Sequence, residues 1–156
     1  MIIFLDFDGV LHPEMYGEPD FARNPFFWKI LRAMPDAQVV FSTSWRELCS
    51  VEQLIGYATK GGGEDLARRF IGATPERLVE EGANIYHAGK AYHRRHIECM
   101  LWLSGNNLTK RQWLAIDDVA RWFPPDSPNL YLINGKLAMT EADAEKIIKK
   151  LQERKP

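Results

Sequence analysis

Apolar runs and polar breaks follow one another along this chain in a recurring order. Ile2-Ile-Phe-Leu5 is apolar without interruption, which suits a strand buried on both faces of a parallel sheet. The stretch from Leu11 to Asp20 is rich in turn formers and has no periodicity, so it reads as a loop. Asn24-Pro25 reads as an N-cap followed by proline at the first helical position, opening a helix to about Met34. Pro35-Asp36 stops that helix, and Ala37 to Phe41 forms a short second strand. Ser50 and Gln53 are spaced for a capping box on a second helix, which Lys60-Gly-Gly-Gly63 ends. Two short helical segments, Glu64–Phe70 and Pro75–Glu81, precede a longer helix from about Tyr92 to Leu103. Thr74 stands ready to cap the second of these segments. Trp113 to Ile116 and Leu130 to Ile133 read as further strands. A last helix opens at Thr140, with Asp143 placed for a capping box, and runs to about Glu153. Strands alternating with helices predict a three-layer α/β/α fold on a central parallel sheet.

The 156 residues fit one domain, 1–156, with room for a small helical lid inserted around 47–90. Composition is ordinary for a globular chain, 46% hydrophobic and 26% charged. Twenty Lys and Arg against 21 Asp and Glu leave a net charge of −1, so no chain-wide basic footprint for nucleic acid exists. Cys49 and Cys99 have no metal-type spacing and need no disulfide, which points to a reducing, cytoplasmic setting. Ile2 to Leu5 is far too short for a signal peptide or a membrane span, so no membrane partner is expected. Lys60-Gly-Gly-Gly63 follows a helix rather than a strand and lacks the Gly-Lys-Ser/Thr ending of a phosphate loop, so it is a linker.

The chemistry gathers at strand ends. The first strand runs into Asp6 and Asp8, followed by Gly9; the second ends in Ser42-Thr43; the third ends in Asp117-Asp118. In a parallel sheet all C-terminal strand ends share one edge, so these distant residues converge there. Several carboxylates at a partly dry edge repel one another, and a hard cation held through oxygen ligands would relieve that repulsion. Gly9 lets the chain turn sharply beside a ligand.

These residues resemble the motifs of the haloacid dehalogenase (HAD) superfamily of phosphoryl-transfer enzymes. Phe4-Leu-Asp-Phe-Asp-Gly-Val10 is similar to its first motif, Val39-Val-Phe-Ser42 to its second and Leu114-Ala-Ile-Asp-Asp118 to its fourth. The third, a basic residue near the start of the preceding helix, is best met by Arg95, with Arg94 and Lys90 also within reach. The resemblance implies a Rossmann-like HAD fold with minimal or no cap, and a Mg²⁺-dependent phosphatase. Asp6 would attack phosphorus to form an aspartyl phosphate, and Asp8 would serve as general acid and base. Asp8 would need a raised pKa for the acid role, which its anionic neighbourhood would favour. Ser42, with Thr43 as the alternative, and Arg95 would bind the phosphoryl oxygens. Asp6, Asp8, Asp117 and Asp118 would hold the metal. Transfer to an acceptor other than water, or a regulatory domain without turnover, are the competing expectations.

The window from Leu11 to Asn24 is only a loop, and the one from Arg46 to Arg95 holds enough for a partial lid. An open site favours a large phosphorylated substrate that supplies its own cover, a protein or a nucleic-acid end. The basic-aromatic run Lys90 to His96 makes the nucleic-acid end the sharper expectation.

Overall fold

The computed structural model describes residues 1–15, 17, 19–75 and 93–154. Five strands, β1 (Ile2–Leu5), β2 (Gln38–Phe41), β3 (Phe70–Ala73), β4 (Trp113–Asp117) and β5 (Leu130–Leu132), form one sheet. Their order is β3-β2-β1-β4-β5, and every pairing is parallel. β1 lies at the centre, fully buried on both faces, as an unbroken apolar run demands.

Side-chain alternation splits the core into two layers. Ile3, Leu5, Val39, Phe41, Leu114 and Ile116 face α1 (Asn24–Ala33), α2 (Val51–Thr59) and α4 (Glu141–Gln152). Ile2, Phe4, Val40, Trp113 and Ala115 face α3 (Arg94–Gly105), which contributes Cys99, Trp102 and Leu103. Phe4 meets Trp102 and Trp113 edge-on, with ring centroids 5.9 and 5.6 Å away. This is the expected three-layer α/β/α arrangement.

The local signals at the helix ends perform unevenly. Both capping boxes form: Ser50 with Gln53 on α2, and Thr140 with Asp143 on α4. Asn24 does not cap α1. It is the first helical residue, Arg23 occupies the cap position without a side-chain capping hydrogen bond, and Asn24 Nδ2 donates instead to the Tyr57 carbonyl at 2.8 Å. A tertiary bond to α2 thus replaces the local one.

The largest departure from expectation is β3. The segment read as a helix over Glu64–Phe70 is a 3-10 turn, Glu64–Arg69, that feeds an edge strand. Gly72, at φ 152°, and a register shift between Val39 and Val40 break the alternation that would mark a strand in sequence. Within the window from Arg46 to Arg95, Leu54 and Ala58 of α2 are fully buried in the main core and β3 joins the sheet beside β2. Residues 76–92 of that window, most of the Pro75–Glu81 segment, Lys90 and Tyr92 lie outside the described residues. Among the described residues no helix is long and apolar enough to cross a membrane.

The Asp143 carboxylate closes the α4 box and also accepts from the Tyr131 hydroxyl at 3.0 Å, joining α4 to β5. Replacing Thr140 with Ala should lower unfolding free energy by about 0.5–2 kcal/mol, read from urea denaturation. An unchanged midpoint would mean that the tertiary bond alone holds this helix start.

Candidate functional site

β1 and β4 are neighbours in register, Leu5 beside Ile116, so the residues that follow them stand together. Asp6, Asp117 and Asp118 each offer an oxygen, and these atoms all lie within 4.8 Å of one another. Asp6 and Asp117 are buried, and Asp118 is half-buried. Backbone amides steady two of them: Phe7 N donates to Asp6 Oδ1 and Val119 N to Asp117 Oδ1, both at 2.8 Å. The other oxygen of Asp117 is buried with no hydrogen-bond partner.

Burial and mutual repulsion hold all three protonated to higher pH than ordinary carboxyls. Asp6 is pushed up to about 6, chiefly by burial and against the pull of Arg95. Asp118 is pushed up to about 7 by burial, then by a hydrogen bond with Glu14 and by the charge of Asp6. Asp117 is raised well above the usual range by burial and by Asp6. Asp118 is seated between two glycines, since a side chain at Gly9 or at Gly135 would overlap its carboxylate. Gly9 also takes φ 69°, which favours glycine by itself. Oxygen-only donors, crowded and partly orphaned, fit a hard divalent cation.

The structure does not bring Asp8 into this group. Its side chain is about half exposed and is held by His12 Nε2 at 3.0 Å and by the Trp45 indole N–H at 3.1 and 3.2 Å. Phe21 N donates to His12 Nδ1 at 3.3 Å, so Nε2 carries the proton that His12 gives Asp8. The expectation of a raised Asp8 pKa is therefore overturned. The His12 bond leads in drawing it below the usual value, with Trp45 and Arg95 also favouring the anion.

The second motif is also resolved differently from the sequence preference. Strand alternation carries Ser42 to the α3 side, against the Cys99 thiol. Thr43 instead hydrogen-bonds Asp6, while its Oγ1 accepts from Trp45 N at 3.3 Å and starts the turn Ser44–Glu47. Thr43 is the hydroxyl at the carboxylate cluster.

Arg95 is buried on the first turn of α3. Its Nη2 lies 3.9 Å from Asp6 Oδ1 and its Nε 4.0 Å from Asp117 Oδ2, close enough for attraction but too far for hydrogen bonds. The Trp122 ring backs the guanidinium at 5.0 Å. Arg94 points elsewhere, to Glu98 at 2.9 Å and Glu47 at 3.3 Å. Glu98 is the residue that sequence reading passed over. Its buried carboxylate meets Arg46 at 3.0 Å and Arg95 at 3.5 Å as well as Arg94. Arg46 in turn donates to the Thr43 carbonyl at 2.5 Å, so the β2 turn is anchored to α3. An acidic residue inside the buried stripe of α3, three after Arg95, was the available signal.

This sheet order, with acidic residues at two central strand ends and a buried arginine from the helix preceding β4, defines a HAD-type domain. Residues 2–144 match the family described as the HAD domain in Swiss Army Knife RNA repair proteins, and the chain belongs to that family. No curated protein and no solved structure matches the chain.

Two outcomes follow from the charges. In the unfolded chain the three cluster carboxyls titrate near the ordinary 3.8, whereas in the fold Asp6 titrates near 6 and Asp118 near 7. The folded state thus holds more protons between these values, so the stability of chelator-treated protein should fall as pH rises from about 4 through about 7. Melting temperatures measured across that range check the sign, and a rise would reject the assignment. Replacing Glu98 with Ala leaves buried guanidinium charge uncompensated and should cost about 3–5 kcal/mol in denaturant unfolding, much more than replacement of the exposed Glu47.

Proposed function

We propose that this single HAD-like domain is a phosphomonoesterase acting on a phosphorylated RNA end through an aspartyl-phosphate intermediate on Asp6. The observation that carries the reading is a matched pair of unspent groups. Arg95 Nε and Asp117 Oδ2 are both buried without hydrogen-bond partners, 4.0 Å apart, beside Asp6. A donor and an acceptor left open in the same dry place suit a ligand that brings anionic oxygens together with a cation. The RNA repair family supports a nucleic-acid substrate.

Asp6 titrates near 6, so at neutral pH it is mostly the anion needed to attack phosphorus. Arg95 offsets phosphoryl charge, and Thr43 provides a hydroxyl beside the reacting carboxylate. Asp6, Asp117 and Asp118 would hold Mg²⁺, which when bound would neutralise charge on the transferring group. Asp8, anionic in the free protein, is already in the state that takes a proton from the attacking water in the second half-reaction. For the first half it needs a proton. A phosphomonoester whose second pKa is near 6 brings one when singly protonated. The exposed position of Asp8 lets it meet the leaving oxygen.

Phosphate release from an end-phosphorylated oligoribonucleotide, measured with Mg²⁺, tests the proposal. Asp6→Asn should remove turnover while far-UV circular dichroism stays native, because an amide cannot attack phosphorus. Near-normal release by that variant would end the covalent mechanism, and full activity after exhaustive chelation would remove the cation.

A further inference from the structure

Beside Asp8 the fold builds a column of aromatic rings that the phosphoryl site does not use. Phe7 is fully buried at its base and meets Phe21 and Trp45 edge-on, at 5.0 and 5.7 Å. Phe21 and Trp45 are half-buried above it and meet each other at 5.4 Å. Tyr57 stands outermost, 38% exposed, parallel to Phe21 within 3° at 5.4 Å and edge-on to Trp45 at 5.5 Å. The column therefore runs from the core to solvent instead of closing on itself.

Its position relative to the chemistry is fixed. The Trp45 indole N–H donates to both Asp8 oxygens, so the aromatic wall begins at the group that must reach the leaving oxygen. Whatever that oxygen is bonded to lies next to these rings. Several constraints hold the rings there: Asn24 holds the Tyr57 carbonyl, Thr43 Oγ1 accepts from Trp45 N, and Phe21 adopts φ 63° while its amide bonds His12. A left-handed backbone at a phenylalanine is costly and persists where the surroundings demand it.

We propose that Phe21, Trp45 and Tyr57 form a stacking subsite for the nucleobase of the nucleotide that carries the phosphate. This rests on the phosphomonoesterase reading for the placement of the leaving group. Unpaired RNA ends present bases that stack on Tyr, Trp and Phe, and such stacking tolerates any base because each has a π-face. The subsite thus explains how a terminal nucleotide is held without reading sequence.

The test compares two oligoribonucleotides that differ only in whether the terminal, phosphate-bearing nucleotide has a base or is abasic. Binding is followed by tryptophan fluorescence in the Asp6→Asn protein, so no turnover is needed, and again with both ends unphosphorylated. The base-bearing end should bind about 5- to 150-fold more tightly than the abasic one. Tyr57→Ala should collapse that ratio towards one, while Tyr57→Phe, which keeps the ring, should preserve it. Native thermal unfolding of the Ala variant confirms that the loss is local, and the Phe variant decides the matter if it is not. Equal binding of the two ends, an undiminished ratio in Tyr57→Ala, or equally tight binding of a phosphoserine peptide would overturn the subsite. Absence of phosphate release from every ester, with base-dependent binding retained, would overturn the phosphatase reading alone.

Discussion

Repulsion among Asp6, Asp117 and Asp118 is the constraint on which the rest of the site depends. The sheet leaves these carboxylates nowhere to retreat, because β1 and β4 are hydrogen-bonded neighbours locked in register by buried side chains on both faces. A slip of one residue would turn every core side chain to the wrong layer. The fold tolerates the crowding through compensation: two backbone amides, the Thr43 hydroxyl and the nearby charge of Arg95. Each arrives from a different element, so the charge problem at the sheet edge dictates what β2, α3 and the loops must supply.

Asp8 shows how two residues of one motif are given different tasks by their surroundings. Asp6 sits in a dry cluster that raises its pKa, whereas Asp8, two residues on, turns outwards to His12 and Trp45, which lower it. Separation of paired carboxyls in this way is how a single site runs nucleophilic and proton-transfer steps side by side. The cost is that His12 and Trp45 favour the Asp8 anion even before substrate arrives.

Much of the sheet and of the acidic cluster was legible because it depends on patterns within short segments. Apolar runs ending in carboxylates marked β1 and β4, and Ser50-Gln53 and Thr140-Asp143 announced their capping boxes. What escaped depended on partners distant in sequence. β3 was hidden because Gly72 and a bulge erase its alternation, and Asn24 abandoned its cap for the Tyr57 carbonyl. Thr43 rather than Ser42 reaches Asp6 because alternation still turns Ser42 to the α3 face, and the turn Ser44–Glu47 then sets Thr43 beside the carboxylate. Glu98 broke the buried stripe of α3, but its partner Arg46 lies on a distant segment, and nothing around Glu14 states that it meets Asp118.

The glycine seat of Asp118 carries a consequence for the order in which the molecule matures. Gly9 follows β1, Asp118 follows β4 and Gly135 follows β5, so the seat exists only when three chain segments far apart in sequence have docked. Contacts of such long sequence separation form late, after local helices and turns. The finished seat of Asp118 is thus a property of the docked sheet as a whole and of no single segment.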